Sequence, residues 1–78
     1  MAVKAYVLIQ TEVGKSAQMS TEVARLEGVI SALDVTGPYD VIVQVEAASL
    51  DDLGRVVVSR MQLTGGVTRT LTCPIVNL

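Results

Sequence analysis

The 78-residue chain contains no histidine, tryptophan or phenylalanine, and it has only two tyrosines, two prolines and one cysteine. Without histidine, the usual protein metal sites and Cys/His catalytic groups cannot be assembled. The single cysteine, Cys73, cannot form a disulfide within the chain, and we interpret it as a small apolar core residue of the last strand. We therefore expect no metal, no cofactor and no enzymatic activity.

Charged residues are also few. The chain has eight acidic and six basic residues and a net charge of −2, with no cluster of lysine and arginine. Domains that bind nucleic acid usually carry a basic patch, so direct nucleic-acid binding is not expected. No apolar run approaches the roughly 20 residues of a membrane-spanning helix, and the N-terminus does not resemble a signal peptide. We expect a cytoplasmic protein with no membrane partner.

Apolar residues, in contrast, make up 50% of the chain. One compact domain over residues 1–78 has a thin core, because small domains bury a smaller share of their surface than large ones do. The chain thus carries more apolar surface than a monomer of this size can hide, and self-association is the simplest way to cover it.

The sequence repeats itself, since residues 8–12 (LIQTE) are echoed by residues 42–46 (IVQVE), and Gly28-Val29 is echoed by Gly66-Val67. Alternating apolar residues predict a strand at the start and end of each half, and apolar residues at helical spacing predict a helix between them. The predicted strands cover residues 4–11, 29–36, 41–47 and 67–73, and the predicted helices cover residues 16–26 and 50–61.

Several finer expectations follow from these patterns. In the second strand, Val29, Ser31, Leu33 and Val35 are expected on one face, because side chains alternate along a strand. Gly54, inside the second helix, suggests a close crossing over a strand. Pro74 implies that the last strand is an edge strand or ends there, because proline has no amide hydrogen to donate. The apolar stripe of the second helix is Leu50, Leu53, Val57 and Met61.

Two βαβ-like units in tandem predict the α+β class and a ferredoxin-like βαββαβ fold. The short turn Gly37-Pro38-Tyr39 makes strands two and three a hairpin, and right-handed crossovers then give an antiparallel sheet with strand order 4-1-3-2. Both helices lie on one face of this sheet. A second copy of the sheet is the simplest cover for the other face, which predicts a sheet-to-sheet dimer of the dimeric α+β barrel type.

The turn Thr36-Gly37-Pro38-Tyr39-Asp40 is the first candidate functional segment. Glycine, proline and aspartate have ordinary roles in turns, which is one interpretation. A large aromatic residue at a hairpin tip, however, indicates a contact with another subunit or a ligand. Free turn amides could bind the carboxylate of an amino acid while Asp40 binds its ammonium group.

The second candidate segment is the last strand, in which Thr68, Thr70 and Thr72 are expected to alternate on one face, with Arg69 on the other. Threonine is a good strand former, which is the simpler explanation. A row of hydroxyl groups could equally form hydrogen bonds with polar atoms of a ligand.

Both segments resemble motifs of one family. Residues 36–40 resemble the Gly-x-Tyr-Asp turn of the effector-binding domains of Lrp/AsnC regulators, also called RAM domains. Residues 65–72 resemble the Pro-Gly-Val-x-x-Thr-x-Thr signature of their last strand, with Gly65 in place of the proline. The resemblance extends from Tyr6 to Thr72.

The resemblance implies an amino acid or related small molecule bound between neighbouring dimers, and a link to the transcriptional regulation of amino-acid metabolism. It further implies a homodimer, commonly assembled as a tetramer of dimers, the eight-chain ring. Full-length members carry an N-terminal helix-turn-helix domain, whereas Met1 lies just before the first strand, so the chain alone is not expected to bind specific DNA. Transferred to this sequence, the ligand-binding residues are Gly37, Tyr39, Asp40, Thr70 and Thr72.

Two alternatives stay open. The domain could be a purely structural assembly module that associates with full-length Lrp/AsnC regulators and binds no ligand. It could also be a small enzyme, since some dimeric ferredoxin-like proteins are monooxygenases, but such enzymes usually need a histidine or another well-placed base.

Overall fold

Four strands and two helical segments follow one another along the chain in the predicted βαββαβ order. The structure is a computed structural model that describes residues 2–76. The elements are β1 (Val3–Thr11), α1 (Ser16–Val23), β2 (Val29–Asp34), β3 (Val41–Ala47), α2 (residues 50–62) and β4 (Val67–Pro74). Within α2, Leu50–Asp52 and Ser59–Gln62 are α-helical and Leu53–Val58 is π-helical.

The strands form one sheet in the order β2-β3-β1-β4, with all neighbours antiparallel. This is the predicted order 4-1-3-2 read from the other side, and the ferredoxin-like α+β fold is confirmed. Strand β4 lies at one edge and ends at Pro74, as expected of a residue that cannot donate a ladder hydrogen bond.

The core lies between the two helices and one face of β1 and β3. Apart from the strand ends, every second residue of these strands is fully buried, because side chains alternate between the two faces of a sheet. The strands contribute Ala5, Val7, Ile9, Val41, Val43 and Val45, and the helices contribute Met19, Val23, Leu53, Val57 and Met61.

The first residue of the predicted helical stripe does not belong to the core. Leu50 is 58% exposed, whereas Leu53, Val57 and Met61 are buried. The buried positions are spaced by four residues through the π-helical part, where hydrogen bonds join residues five apart and each turn is wider. Leu50 precedes Leu53 by only three residues, and it falls outside this wider spacing.

A β-bulge in β2 changes which side chains share a face. Val29 lies opposite Val45, but Ser31 lies opposite Gln44, so one extra residue separates the two pairs. After the bulge, Leu33 lies opposite Ile42, on the face away from the helices. The expectation that Val29 and Leu33 lie on the same face is therefore wrong.

A second bulge has the same effect in β4. Arg69 lies opposite Gln10 and Val67 lies opposite Thr11, which leaves Thr68 as the extra residue. The predicted row of three threonines is thus reduced to Thr70 and Thr72. These two lie opposite Ile9 and Val7, on the side of the sheet that the helices cover.

The close approach predicted at Gly54 occurs at another glycine. A Cβ atom at Gly54 would meet nothing within 4 Å. A Cβ atom at Gly28, in contrast, would lie 2.7 Å from Val57 Cγ2 and 3.0 Å from the carbonyl oxygen of Glu46. Gly28 also has a φ of +90°, which disfavours any residue with a side chain.

The face of the sheet away from the helices, here called the open face, carries one apolar row across all four strands. Leu33 lies opposite Ile42, Ile42 opposite Leu8, and Leu8 opposite Leu71. Leu33 is 60% exposed and Leu71 is 43% exposed. Nothing within residues 2–76 covers this row, and no helix in that range is long and apolar enough to cross a membrane.

The single cysteine also lies on the open face. Cys73 is exposed and lies opposite Tyr6 of β1. Tyr6 stands between the buried residues Ala5 and Val7, so its side chain and that of Cys73 lie on the open face. The interpretation of Cys73 as a core residue is therefore wrong for the single chain.

We predict that Gly28→Ala destabilises the fold by about 2–3 kcal/mol, because the new methyl group clashes with Val57 and the residue keeps an unfavourable φ. Gly54→Ala is the matched control, and it should stabilise the chain by up to about 1 kcal/mol, since alanine favours a helix. Urea denaturation at equal protein concentration measures both changes. Equal effects of the two substitutions would contradict the close approach at Gly28.

Candidate functional site

The turn between β2 and β3 is closed by Asp40. The amide of Val35 donates to the carbonyl oxygen of Asp40 at 2.9 Å, which joins the two ends of the hairpin. The amide of Asp40 in turn donates to the carbonyl oxygen of Ile9 at 2.9 Å. The turn is therefore tied to the C-terminal end of β1 as well as to its own hairpin.

The carboxylate of Asp40 strengthens this connection. Its Oδ2 atom accepts a hydrogen bond from the amide of Thr11 at 2.8 Å and a longer one from the hydroxyl of Thr11 at 3.4 Å. Its Oδ1 atom accepts no hydrogen bond from residues 2–76. One oxygen of Asp40 thus stabilises the fold, and the other remains able to accept a hydrogen bond from a ligand.

The tip of the turn is held by a residue that the sequence did not single out. Nε2 of Gln10 donates to the carbonyl oxygen of Pro38 at 2.9 Å. Gly37 is exposed and has a φ of +140°, a backbone conformation that glycine adopts readily. Tyr39 is half-buried. The turn is therefore anchored to β1 at Pro38, within its exposed tip, and at Asp40, where the turn ends.

The two predicted threonines of β4 lie on the helix side of the sheet. Both are half-buried, and both belong to an edge strand, so their outer side is not covered by a fifth strand. Oγ1 of Thr70 accepts a hydrogen bond from Nε2 of Gln62, the last residue of α2, at 3.0 Å. The side chain of Thr72 makes no hydrogen bond within residues 2–76.

The structure brings the two candidate segments to the same strand but not into one pocket. Ile9 of β1 accepts a hydrogen bond from Asp40 on one side and lies opposite Thr70 on the other. Strand β1 thus separates the turn from the threonines. Within one chain, Gly37, Tyr39 and Asp40 do not meet Thr70 and Thr72.

Two clefts of the described chain lie away from both segments. One of them has a volume of about 460 Å³ and is lined in part by Glu27, Gly28, Glu46 and Asp52. A smaller one of about 280 Å³ lies beside Lys15, at the start of α1. Neither includes any of the five predicted ligand-binding residues, and residues 2–76 contain no cluster of acidic or cysteine side chains suited to a metal ion.

Comparison with known proteins identifies the family. The family model described as the Lrp/AsnC ligand binding domain matches residues 4–77, nearly the whole sequence. The chain belongs to this family. The predicted resemblance to Lrp/AsnC effector-binding domains is therefore confirmed.

Related proteins of this family include transcriptional regulators. The Lrp/AsnC-type chain is 29% identical over 55 residues to an uncharacterized HTH-type transcriptional regulator, PH1916, of Pyrococcus horikoshii. The alignment covers 70% of this chain but 37% of that regulator. The chain thus matches little more than a third of the length of this relative.

Solved structures agree with the fold. TTHA0845 from Thermus thermophilus superposes with a TM-score of 0.89 at 29% identity, over 97% of this chain and 95% of that one. The transcriptional regulator NMB0573 of Neisseria meningitidis, solved as a complex with L-Met, superposes with a TM-score of 0.80 over 96% of this chain and 50% of that one. Its identity of 17% supports the fold alone.

We predict that Asp40→Ala destabilises the chain by about 1–3 kcal/mol, because the half-buried amide of Thr11 loses its acceptor. Asp34→Ala removes a carboxylate from the exposed end of β2, and it should change stability by less than about 0.5 kcal/mol. Chemical denaturation of both variants provides the comparison. A change at Asp40 as small as the change at Asp34 would contradict the structural role of the Oδ2 atom.

Proposed function

We propose that this Lrp/AsnC-type domain binds a free amino acid, or a closely related small molecule, at a site that two chains build together. The observation that carries the proposal is the set of polar groups left without partners at the two candidate segments. Among the described residues, these groups are Oδ1 of Asp40 and the hydroxyl hydrogens of Thr70 and Thr72. No buried side-chain oxygen or nitrogen of the described residues lacks a partner, so Oδ1 of Asp40 and the hydroxyl of Thr72 are open to water, which a ligand could replace.

The unpaired groups can form hydrogen bonds with both the ammonium and the carboxylate group of an amino acid. The carboxylate oxygen of Asp40 can accept hydrogen bonds from an ammonium group, and the two hydroxyls can donate to a carboxylate. The exposed backbone at Gly37 lets a ligand approach the turn closely. The complex of NMB0573 with L-Met supports an amino acid as the ligand class, because that protein shares the fold.

A site shared between chains follows from the separation of the two segments by β1. We propose that the turn residues Gly37, Tyr39 and Asp40 of one chain face Thr70 and Thr72 of another. Half-buried Tyr39 would then cover the junction, since aromatic side chains are enriched at interfaces. The position of the described clefts away from both segments agrees with this arrangement.

The open face provides the first level of assembly. We propose that two chains pack through the apolar row Leu33-Ile42-Leu8-Leu71, because a row that spans the whole sheet can be buried efficiently by an identical sheet. Polar or charged pairs flank this row on the open face. They are Lys4-Glu46, between β1 and β3, and Gln10-Arg69, between β1 and β4. A polar border around an apolar centre is typical of protein interfaces. Assembly of four such dimers into a ring remains a prediction from the resemblance.

The regulatory role is proposed to depend on other proteins. With a net charge of −2, the chain lacks the electrostatic attraction that DNA binding requires, and it is not proposed to bind DNA by itself. We propose that it acts by co-assembling with full-length, DNA-binding regulators of its family in the cytoplasm. The proposed role is regulatory and not catalytic, since the curated relatives that it matches are named as transcriptional regulators.

The second candidate function is assembly without a ligand, and the apolar row on the open face favours it. An assembly module needs the open face but does not need the polar groups of Asp40 and Thr70. Ligand binding therefore separates the two candidates.

We predict that Leu71→Lys weakens self-association by more than about tenfold, because it buries an ammonium group in an apolar contact. Leu63→Lys is the matched control, since Leu63 is 85% exposed at the end of α2, away from the open face. Light scattering over a concentration series measures the particle mass. Unchanged association of Leu71→Lys would exclude the open face as the interface.

We predict that at least one of the twenty proteinogenic amino acids raises the melting temperature in a saturable way. A ligand at about 100 times its Kd stabilises a protein by about 2.7 kcal/mol. No response at millimolar concentrations would contradict the sensing function and leave the assembly function.

The same ligand response should locate the site. Asp40→Asn keeps an oxygen acceptor for Thr11 but removes the charge, and it should weaken binding by about tenfold or more because a hydrogen bond to a charged group is lost. Thr70→Val removes a hydroxyl at nearly constant volume and should weaken binding as well. Asp34→Asn is the control for charge, and calorimetry measures all the affinities. Wild-type affinity in both site variants would place the ligand elsewhere.

A further inference from the structure

The hydrogen bond between Gln62 and Thr70 is unusual within this structure. It is the only one within residues 2–76 that joins a helix side chain to a strand side chain. It spans the helix-side surface of the sheet next to the outer edge of β4, where Gln62 is exposed and Thr70 is half-buried. An exposed bond of this kind contributes little to stability, because both groups could bond to water instead.

The direction of this bond decides what Thr70 can offer to a ligand. A threonine hydroxyl has one hydrogen to donate and two lone pairs that accept. Because the Gln62 amide donates to Oγ1, it occupies a lone pair and leaves the hydroxyl hydrogen available. An amide –NH₂ group does not accept a hydrogen bond, so the hydroxyl hydrogen of Thr70 is left for water or a ligand.

Several other threonine hydroxyls donate their hydrogen within the described part of the chain, although those of Thr36 and Thr72 do not. Thr21 donates to the carbonyl oxygen of Ala17 at 3.0 Å, and Thr68 donates to that of Gln10 at 3.2 Å. Thr64, just after α2, likewise donates to the carbonyl oxygen of Arg60 at 3.2 Å. Thr70 donates to no group among the described residues. The bond from Gln62 therefore leaves the Thr70 hydroxyl with its hydrogen free to donate.

We propose that Gln62 is a positioning residue of the ligand site, which holds the Thr70 hydroxyl as a donor toward the carboxylate of the bound amino acid. This inference rests on the proposed function and adds a residue that neither family motif contains. The Gln62 side chain supplies its amide hydrogen to Oγ1, and Thr70 supplies its own hydrogen to the ligand. Donation toward a carboxylate is stronger than donation to a neutral group, so fixing the direction of the bond raises affinity.

The direction of the bond can be reversed by a substitution of nearly equal shape. In Gln62→Glu the side chain can only accept, so it takes the hydroxyl hydrogen of Thr70 and removes the donor from the ligand. In Gln62→Lys the ammonium group donates to Oγ1 as the amide does, and the hydroxyl stays available. Gln18→Glu is the control for the added charge, because Gln18 is an exposed glutamine of α1 that bonds to Glu22 at 3.3 Å.

The experiment is calorimetric titration of the full chain with the proteinogenic amino acid that stabilises the wild type most in a thermal-shift screen of all twenty. We expect about tenfold or greater loss of affinity in Gln62→Glu, and changes within about threefold in Gln62→Lys and Gln18→Glu. In the Thr70→Val background, Gln62→Glu should cause little further loss, because the residue through which it acts is gone. Melting temperatures without ligand should be similar in the Gln62 variants, whereas Gln18→Glu should melt slightly lower because its new carboxylate lies four residues from Glu22.

The possible outcomes distinguish this inference from the proposed function. Binding by the wild type together with unchanged affinity in Gln62→Glu overturns the positioning role and leaves the proposed function standing. Equal losses in Gln62→Glu and Gln62→Lys also overturn it, because only the first of these substitutions reverses the bond. Absence of binding by the wild type overturns the proposed function itself, and the inference with it.

Discussion

Strand β1 is apolar on both of its faces, and this constraint underlies most of the molecule. Its odd-numbered residues Ala5, Val7 and Ile9 are fully buried under the helices. Its even-numbered residues include Tyr6 and Leu8, which lie on the open face beside largely apolar neighbours. Since alternate residues of a strand face opposite ways, no register of β1 places all of its apolar side chains on one side. The two helices of the described chain cover only one face.

The same strand also connects the two candidate halves of the site. The backbone of β1 at Ile9 and Thr11 fixes Asp40, and the opposite edge of β1 pairs with the strand that carries Thr70. Within one chain, the position of the turn relative to the threonines is therefore set by the pairing of the sheet and not by loop conformation. Each chain would thus contribute to a shared site two segments that are tied to the same central strand, which favours accurate positioning of their polar groups.

The sequence was sufficient for the order of elements because the apolar alternation of β1 and β3 is nearly unbroken. The bounds of β3, residues 41–47, were predicted without error for this reason. Within β2 and β4, however, one extra residue in a bulge shifts the alternation, and no residue type in either strand marks the position of the bulge. The face of Leu33 and the exclusion of Thr68 from the threonine row could therefore not be predicted.

The partners of the candidate residues were also beyond sequence reasoning, for a related physical reason. Asp40 binds Thr11, 29 residues earlier in the chain, and Thr70 binds Gln62 across a turn. Such contacts depend on how the elements are packed, which apolar periodicity does not specify. Gly28 illustrates the same limit, because its close contact with Val57 arises where a loop passes under the π-helical part of α2. The helical pattern alone favoured Gly54, which lies in the helix but approaches nothing.

Division of the proposed site between chains has an energetic consequence for regulation. If the turn of one chain and the threonines of another bind the same ligand, the binding free energy adds to the association free energy of the two chains. The coupling is reciprocal, so association raises ligand affinity by the same factor by which ligand strengthens association. The open face would keep the basic dimer together independently of ligand, because its apolar row lies apart from Asp40 and Thr70. A ligand would then act on the contact between dimers, where a modest coupling free energy of about 1–3 kcal/mol is enough to change the assembly state.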